Sequence, residues 1–439
     1  MLYFVSISFV FVLLFTTGRA ASLTPSLSVR MMIFLRSLPF TLSSFIPCLK
    51  KTQMPLFCCL RGGVCASANV LGTSGTNKQT PQKRRDVLIA LSGASLLPKP
   101  SYSNASSNMS PSSSVPHSTL IDVGELGLGC WSWGNSFVWG YEESMDDELQ
   151  RVFNLAVDRG VRLFDSADSY GKDGRSEQLL GKFIKGYQGE DAKKNNIILA
   201  TKFAPYPWRL TSNSFVNAAK ESAKRFGKEK IDLGQLHWST ENYQPVQEGA
   251  LWSGIADAYE EGIIGAVGLS NYGPRQLRKI HKYMSARGVP ISTLQVQYHL
   301  LSRFPELNGT KETCDELGIK LIAYSPLALG LLTGKYSVEN PPPGLRGQAY
   351  KGVLPPLPNL LETMREVGDA HGGKTLPQVA LNWCICKDTI PIPGAKNVKQ
   401  LEDNLGALGW RLNAAEIAEL DKAAEKVGVS TSQNIFQTA

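Results

Sequence analysis

Several common signatures of catalytic sites are missing from this sequence where they would be expected. The stretch FDSADSYG, residues 164–171, follows an apolar run but has no GxGxxG fingerprint, no paired histidine ligands and no serine nucleophile elbow. The first predicted β–α turn, CWSWGNSFVWGYEE, also lacks GxGxxG, which argues against the phosphate-binding turn of an open doubly wound sheet. Neither a metal site nor a flavin signature is evident, so we expect no bound metal.

Cysteine is also scarce, with eight in 439 residues. Four lie within the first 117 residues, and four follow at Cys130, Cys314, Cys384 and Cys386. A chain of this length can bury a large core without disulfide bonds. Because the spacing of Cys384 and Cys386 does not suit a zinc pair, we interpret the later cysteines as core thiols.

Acidic residues are almost absent from the first 117 residues, which carry eleven Lys or Arg and a single acid, Asp86. The rest of the chain carries 35 basic and 37 acidic residues, so the overall charge of +8 belongs to the first segment. Because the remainder is near neutral, we expect no nucleic-acid partner.

The composition of this first segment indicates targeting. It opens with MLYFVSISFVFVLLFTTGRA, whose apolar run falls short of the ~20 residues of a membrane helix and resembles a signal peptide. Acid-poor segments rich in Ser, Thr, Arg and Lys follow, then a twin-arginine-like stretch at 83–98 and a Ser-rich linker. We predict a targeting leader and linker over residues 1–117 and one catalytic domain over 118–439. The alternative is that these residues come from an incorrectly predicted start of the gene and do not target the protein.

From residue 118 onward, short apolar strands alternate with amphipathic helices. Strands are predicted at 126–130, 161–165, 196–203, 231–238, 264–271, 292–298, 320–326 and 389–394. Helices are predicted at 145–160, 176–184, 212–226, 246–261, 274–285, 306–317, 357–371, 376–387 and 398–408. This alternation predicts parallel strands with right-handed crossovers and, in about 300 residues, an α/β (β/α)8 TIM barrel. An open doubly wound sheet is the alternative.

Ionisable side chains stand at the carboxyl ends of three consecutive predicted strands. Asp165 ends the second strand with Tyr170 just beyond, Lys202 lies near the end of the third, and His237 lies at the end of the fourth. In a barrel these ends share one face, where catalytic residues sit. Each residue alone has a structural explanation, such as capping or packing. Their joint occurrence favours a site.

Such a set suits proton transfer to a carbonyl oxygen. A cationic Lys202 beside Tyr170 is expected to lower the phenol pKa, and Asp165 keeps the lysine charged. Tyr170 then serves as the general acid, while His237 donates a hydrogen bond to the same oxygen. Since a hydride must reach the carbonyl carbon, a nicotinamide is the natural donor.

Residues 120–426 resemble the aldo-keto reductase family. The motifs LGLGCWSWG, FDSADSYG, ATKF, QLHW, GLSNYG, QVQYHLL, AYSPLALGLLTGKY and PIPGAKNVKQLEDNLGAL follow one another in the family's order. The resemblance implies that Asp165, Tyr170, Lys202 and His237 form the catalytic tetrad. One departure is Cys130, which replaces the family's usual Thr.

The resemblance also implies NADPH as the cofactor. Its expected binding residues are Trp131, Ser270, Asn271, Gln295, Tyr324, Ser325, Pro326, Leu327, Gly330, Lys335, Arg346, Gly394, Lys396, Gln400, Asp403 and Asn404. Ser270, Asn271 and Gln295 are expected to bind the nicotinamide amide, on whose ring Tyr324 stacks. Lys396 stands where relatives often have Ser, which favours pairing with a 2′-phosphate and hence NADPH over NADH.

Aromatic residues just past the predicted strand ends suggest the substrate class. The substrate-pocket candidates are Trp133, Tyr206, Trp208 and Trp238, with Trp131 at the same mouth. They suit a flat aromatic or long apolar aldehyde. The stretches TKFAPYPWRLTS, GQLHWST, DNLGALGW and QNIFQT are similar to plant plastid members of the family. That similarity implies reduction of pyridoxal to pyridoxine.

Two other functions stay open at this stage. Potassium-channel β-subunits share this barrel and cofactor site, so a cofactor-sensing binding module is the main alternative. A plastid protein with a vestigial site is disfavoured by the complete tetrad. The expected compartment is the plastid, with the stroma favoured because it supplies nicotinamide. The twin-arginine-like segment leaves the thylakoid lumen possible. No membrane association of the processed protein is expected, and the sequence does not give the oligomeric state.

Overall fold

The computed structural model describes residues 121–428 and 436–438, so the predicted leader and linker lie outside the described residues. Eight parallel strands pair in sequence order to form a nearly closed barrel. The strands are β1 (Leu128–Gly129), β2 (Leu163–Asp165), β3 (Ile198–Phe203), β4 (Ile231–Leu236), β5 (Ile264–Ser270), β6 (Ile291–Gln297), β7 (Lys320–Tyr324) and β8 (Ile390–Ile392). The predicted (β/α)8 barrel is confirmed.

Helices follow every strand of the barrel. They are α1 (Ser136–Trp139), α2 (Asp146–Asp158), α3 (Arg175–Gly186), α4 (Asp191–Asn195), α5 (Ser212–Phe226), α6 (Glu248–Glu260), α7 (Pro274–Ala286), α8 (Phe304–Leu307), α9 (Thr310–Leu317), α10 (Leu345–Ala349), α11 (Leu357–Ala370), α12 (Leu376–Cys386), α13 (Val398–Leu405) and α14 (Ala414–Lys426). Short 3-10 turns lie at Glu143–Met145, Lys172–Gly174, Pro245–Gln247 and Ala328–Thr333. Among the described helices, none is both long and apolar enough to cross a membrane.

Backbone hydrogen bonds join the first and last strands. The amides of Gly127 and Gly129 donate to the carbonyls of Pro391 and Pro393, both at 3.0 Å. A Cβ atom at Gly129 would lie 2.7 Å from the Ile392 carbonyl oxygen, closer than a real side chain tolerates. Glycine at position 129 therefore permits the close approach that brings β8 against β1.

The strands are apolar on both faces, as expected for a parallel sheet covered by helices. A small buried cluster contains Val123, Leu163, Ala200, Leu233, Ala266, Ile322, Ile390 and Ile392. Because successive strand residues point to opposite faces, these residues fill the barrel interior. The much larger second cluster packs the outer strand faces against the helices.

Two of the differences between the structure and the sequence prediction have a clear local cause. The predicted helix over 306–317 is broken, because Gly309 adopts a left-handed conformation (φ 79°) between α8 and α9. Helix α14 was not predicted, although Asn413 and Glu416 form a capping box at its start. This box satisfies backbone amides that the first turn leaves without helical partners.

Candidate active site

A polar layer lies directly above the apolar interior of the barrel. Asp165 stands two residues after Leu163, Lys202 two after Ala200, and Gln235 two after Leu233. The period-two alternation of a strand turns all of these side chains inward. The strands thus place an acid, a base and an amide at the same level, near the carboxyl ends of β2, β3 and β4.

Lys202 and Asp165 form a buried ion pair. The lysine Nζ lies 2.5 Å from Asp165 Oδ2 and 2.6 Å from the Ser166 carbonyl oxygen, to which it also donates. The side chains are 1% and 3% exposed. Burial alone would lower the lysine pKa, but Asp165 and then Tyr170 outweigh it, so the pKa of Lys202 is raised. Lys202 is therefore a fixed cation.

Two amides hold the other oxygen of Asp165. Gln235 and Gln295 each donate from Nε2 to Asp165 Oδ1 at 2.9 Å. Gln295 is a predicted nicotinamide ligand, and in this structure its amide nitrogen faces Asp165. Gln235 was not predicted as a site residue. Gln235 and His237 stand two positions apart, so their side chains point to the same side of the chain, and this spacing could have identified Gln235.

Tyr170 lies over the ion pair. Lys202 Nζ is 4.8 Å from the centre of the phenol ring. Burial raises the pKa of Tyr170 above its usual value, and the charge of Lys202 offsets only part of this rise. The predicted effect of Lys202 is present, since its charge and its hydrogen bond both lower the pKa of Tyr170, but burial has the larger effect. The phenol keeps its proton at neutral pH and can donate it.

His237 completes the group, one residue beyond the end of β4. Its ring centre is 5.8 Å from that of Tyr170, and Ser169 Oγ lies 3.5 Å from its Nδ1. Burial, and then the nearby charge of Lys202, holds the pKa of His237 well below its usual range. The imidazole is therefore neutral at physiological pH and carries one N–H as a donor.

A second buried histidine at the same barrel end makes stability depend on pH. Burial lowers the pKa of His299 to about 3, whereas an unfolded histidine titrates near ~6.5. Between these values His299 binds a proton in the unfolded chain but not in the folded one, so this residue alone lowers the free energy of unfolding by about 1.4 kcal/mol per pH unit as pH drops. Between pH 7.5 and 5, the free energy of unfolding of His299→Gln should therefore fall by about 2 kcal/mol less than that of wild type.

Denaturant unfolding at the two pH values measures this difference. His281→Gln, half-exposed on α7, is the matched control. An identical pH dependence in wild type and His299→Gln would contradict the assignment of the proton uptake to His299.

The turn after β5 carries two predicted cofactor ligands. Asn271 has a left-handed backbone (φ 62°), and its Nδ2 donates to the His237 carbonyl at 3.0 Å and to Ser270 Oγ at 3.1 Å. The Tyr324 hydroxyl donates to Asn271 Oδ1 at 3.0 Å. The structure thus brings Ser270, Asn271 and Tyr324 together beside His237.

The loop after β7 has the form of an anion cradle. Left-handed residues are frequent in it: Ser325 (φ 51°), Ala328 (49°), Leu329 (51°) and Gly330 (98°). Ala328 follows Leu327, whose φ is −97°, and such a change from negative to positive φ turns adjacent amides toward one side, which favours an anionic group. Lys335 lies across this loop, since a Cβ on Gly330 would be 3.0 Å from its Cε. Pro326 is buried here and Leu327 is half-buried.

The last predicted cofactor residues surround the start of α13. Gly394, Lys396 and Gln400 are exposed, and Gln400 Oε1 accepts from the Lys396 amide at 2.8 Å. Asn404 is buried, with Nδ2 3.3 Å from the Gly394 carbonyl. Asp403 is engaged elsewhere: it accepts from Thr375 Oγ1 at 2.6 Å and so connects α13 to α12.

An aromatic group lies between Tyr170 and Arg346. The Trp131 ring centre is 6.2 Å from Tyr170 and 5.4 Å from Trp139, with an edge-on contact to the latter. The Arg346 guanidinium lies 5.0 Å from the Trp139 ring centre. Arg346 therefore reaches the rim through the first loop of the barrel, and Trp139 is a rim residue that the sequence analysis missed.

The predicted pocket residues separate into three environments. Tyr206 and Trp208 stack on each other at 4.8 Å on the loop after β3, with Trp208 61% exposed. Trp238 is half-buried next to His237, with ring centres 4.8 Å apart. Trp133 is fully buried against Phe183 and donates from Nε1 to the Ala395 carbonyl. Trp133 thus belongs to the packing behind β1, which corrects its prediction as a pocket residue.

A buried ion pair holds the loop that carries Tyr206. Arg209 Nη1 donates to Asp168 Oδ2 at 2.6 Å and to the Ala204 carbonyl at 2.7 Å. The guanidinium also lies 4.8 Å from the Tyr206 ring centre. Burial raises the pKa of Asp168, although Arg209 opposes the shift. Asp168 was missed in the sequence, where it stands inside the FDSADSYG stretch.

Removal of the Asp168 charge should loosen this loop. We expect Asp168→Asn to raise the KM for aromatic aldehydes, the substrate class that the sequence predicts, by roughly tenfold, since a charge-assisted hydrogen bond contributes about 1.5–3 kcal/mol. The kcat should change little, because the Asp168 carboxylate accepts its hydrogen bonds from Arg209 and from the Ala204 amide. Steady-state kinetics with Asp147→Asn, an exposed control, measures the effect. A fall in kcat with an unchanged KM would contradict it.

The chain is similar in sequence and in fold to known proteins. Residues 125–425 match the model of the Aldo/keto reductase family. The chain is 54% identical over 321 residues to a chloroplastic pyridoxal reductase of Arabidopsis thaliana, covering 72% of this chain and 88% of that protein. It also matches the thermostable aldo-keto reductase Tm1743 solved with the inhibitor epalrestat (28% identity, TM-score 0.54, 69% and 95% coverage). An aldo-keto reductase from Klebsiella pneumoniae, solved with NADP and acetate, shares the fold (23% identity, TM-score 0.54, 71% and 94% coverage).

Proposed function

The chain belongs to the aldo-keto reductase family, and we propose that it uses NADPH to reduce aldehydes to alcohols, with pyridoxal as a substrate. The observation that carries this proposal is the group formed by Tyr170, the buried Lys202–Asp165 pair and neutral His237 at the carboxyl end of the barrel. The family is one of oxidoreductases, and the group fits the proton half of a carbonyl reduction.

Each residue of this group has a distinct role. Tyr170 holds a proton on its phenol oxygen and gives it to the carbonyl oxygen of the substrate. Lys202 stabilises the phenolate that remains, because its own charge is fixed by Asp165. His237 donates its single N–H toward the same oxygen and orients the aldehyde. NADPH, when bound, supplies the hydride.

The residues present fit a nicotinamide dinucleotide. Ser270, Asn271 and Tyr324 form a polar group beside His237 that suits the nicotinamide amide and ring. The loop from Ser325 to Gly330, which contains several left-handed residues, suits the diphosphate together with Lys335; Pro326 and Leu327 belong to the same loop. The amino end of α13 suits the adenosine phosphate, through Gly394, Lys396, Gln400 and Asn404. Trp131, Gln295, Arg346 and Asp403 complete the proposed set.

Lys396 is the proposed source of the preference for NADPH. Its side chain is exposed at the amino end of α13, where a cation can pair with a 2′-phosphate. We expect Lys396→Ser to raise the KM for NADPH by roughly tenfold, the loss of one charge-assisted contact, with no change in the KM for NADH. Paired titrations with both cofactors measure this, and Lys399→Ser is the exposed control. Equal losses for the two cofactors would contradict the assignment.

The aromatic rim supports a flat aromatic substrate. Trp238 lies next to His237 and Trp131 next to Tyr170, while Tyr206 and Trp208 stack on each other on the loop after β3. The Arabidopsis relative is named as a pyridoxal reductase, and pyridoxal is a flat aromatic aldehyde. We propose pyridoxal, reduced to pyridoxine, as a physiological substrate, and the plastid stroma as the compartment. The chloroplastic name of the relative supports the plastid.

The test is NADPH oxidation by protein that starts near Ser118, with pyridoxal beside a panel of aromatic and aliphatic aldehydes. A kcat/KM for pyridoxal well above the panel supports a pyridoxal reductase. Similar values across the panel would replace it with a general carbonyl reductase. NADPH binding without turnover would overturn the enzyme proposal and favour a cofactor-sensing module.

A further inference from the structure

Residues 436–438 lie at the mouth of the barrel, against the proposed cofactor site. Thr438 is only 2% exposed. Its amide donates to the Asn271 carbonyl at 3.2 Å, and its Oγ1 accepts from the Gly273 amide at 2.9 Å. This one residue therefore bonds to both sides of the turn that follows β5, 165 positions earlier in the sequence.

This turn has a conformation that needs support. Asn271 is left-handed at φ 62°, which costs a non-glycine residue about 1–3 kcal/mol unless its surroundings fix it. The backbone amide of Asn271 donates to the Gln295 carbonyl at 3.0 Å. The side chain of Asn271 forms hydrogen bonds with His237, Ser270 and Tyr324. Its carbonyl accepts from Thr438. The Thr438 bonds thus complete the set that fixes the Asn271 backbone.

A second contact anchors the same segment. The Phe436 ring stacks on Trp238, with centres 4.3 Å apart and planes within 16°. Trp238 is held from its own side, since its Nε1 donates to the Tyr243 hydroxyl at 2.7 Å. Phe436 also lies 6.3 Å from Tyr243. Trp238 adjoins His237, so the segment touches both the β4 and the β5 ends of the site.

We propose that residues 436–438 form part of the cofactor site. Thr438 is a positioning residue: it holds the Asn271–Gly273 turn in the conformation that presents the Asn271 amide to the nicotinamide. Phe436 anchors the segment on Trp238. This proposal rests on the proposed function, because it takes Asn271 as a ligand of NADPH.

The experiment uses the protein from Ser118 to Ala439 and three substitutions. Thr438→Val keeps the shape and removes the hydroxyl acceptor, whereas Thr438→Ser keeps the acceptor. Thr389→Val is the matched control, because Thr389 is also buried and its Oγ1 donates to the Cys384 carbonyl, away from the site. The readouts are the Kd of NADPH from quenching of tryptophan fluorescence, hydrogen exchange of the peptide containing residues 271–273, and thermal stability.

The expected result is specific to Thr438→Val. Its Kd for NADPH should rise about tenfold, the effect of one hydrogen bond, and exchange at the Gly273 amide should accelerate without cofactor. Thr438→Ser should resemble wild type, and Thr389→Val should lose stability while it keeps the wild-type Kd. An unchanged Kd in Thr438→Val, or an equal rise in Thr389→Val, would overturn the proposal.

Wild-type behaviour separates this proposal from the proposed function. If wild type reduces aldehydes and Thr438→Val binds NADPH normally, only the role of Thr438 fails. If wild type binds NADPH and Thr438→Val binds it weakly, but no aldehyde is reduced, the enzyme proposal fails and the positioning role stands. If wild type does not bind NADPH, both fail.

Discussion

Tyr170→Phe should reduce aldehyde turnover by about 10²–10⁴-fold, the usual contribution of a positioned general acid. The phenol is the group above Lys202 whose proton the structure keeps in place, since burial raises the pKa of Tyr170. Phenylalanine preserves the ring and its contact with Trp131 but has no proton to give. The Kd of NADPH should therefore stay within about twofold of wild type, because the lost group acts on the substrate oxygen.

Single-turnover reduction of pyridoxal, monitored by NADPH absorbance, measures this loss directly. Tyr259→Phe on α6, packed against the outer core, is the matched control and should retain full activity. Turnover by Tyr170→Phe within tenfold of wild type would require a different proton donor.

The second large effect concerns both stability and activity. Lys202→Met should lower the free energy of unfolding by about 3–5 kcal/mol, the usual cost of leaving one buried charge without its partner. Asp165 is 3% exposed, so water cannot replace the lysine. Activity should be lost as well, since the phenolate of Tyr170 would no longer have a cation beside it.

The double variant Asp165→Asn with Lys202→Met separates the two effects. It leaves no unpaired charge, and Gln235 and Gln295 can still donate to the amide oxygen at position 165. Most of the lost stability should return, while activity should stay absent. Chemical denaturation and turnover of the same samples test this, with exposed Lys399→Met as the control. If the double variant is no more stable than Lys202→Met, the stability lost in Lys202→Met does not come from the unpaired charge of Asp165.

The sequence predicted the barrel because the alternation of apolar strands and amphipathic helices is a local pattern. The same pattern placed Asp165, Lys202 and His237 at strand ends, and the structure brings them together with Tyr170. The break between α8 and α9 was also readable in principle, since Asn308 and Gly309 are common turn residues. The start of α14 was readable too, because Asn413 and Glu416 have the spacing of a capping box.

Other features depend on contacts between distant segments and have no local signal. Trp133 and Trp131 stand two positions apart, yet one is buried against Phe183 and the other lies at the mouth. Arg209 and Asp168 pair only because the loops after β2 and β3 meet. The pKa of Tyr170 depends on how deeply the completed site is buried, which a charge argument from sequence does not include. Thr438 could not be identified from the sequence either, because the turn that it contacts lies 165 positions earlier.

Closure of the barrel by β1 and β8 also has a consequence for synthesis. The bond from Trp133 to Ala395, next to this seam, spans 262 positions. At about 5–20 residues per second, roughly 13–50 s separate the synthesis of its two ends. During that time the emerging chain exposes the unpaired edges of β1 and of the newest strand, which are templates for aggregation. Where residues 118–439 are produced without import into a plastid, as in a bacterial host, the nascent chain is therefore most dependent on chaperones before position 393 has emerged, and slow decoding within the last quarter of the gene should lower its soluble yield.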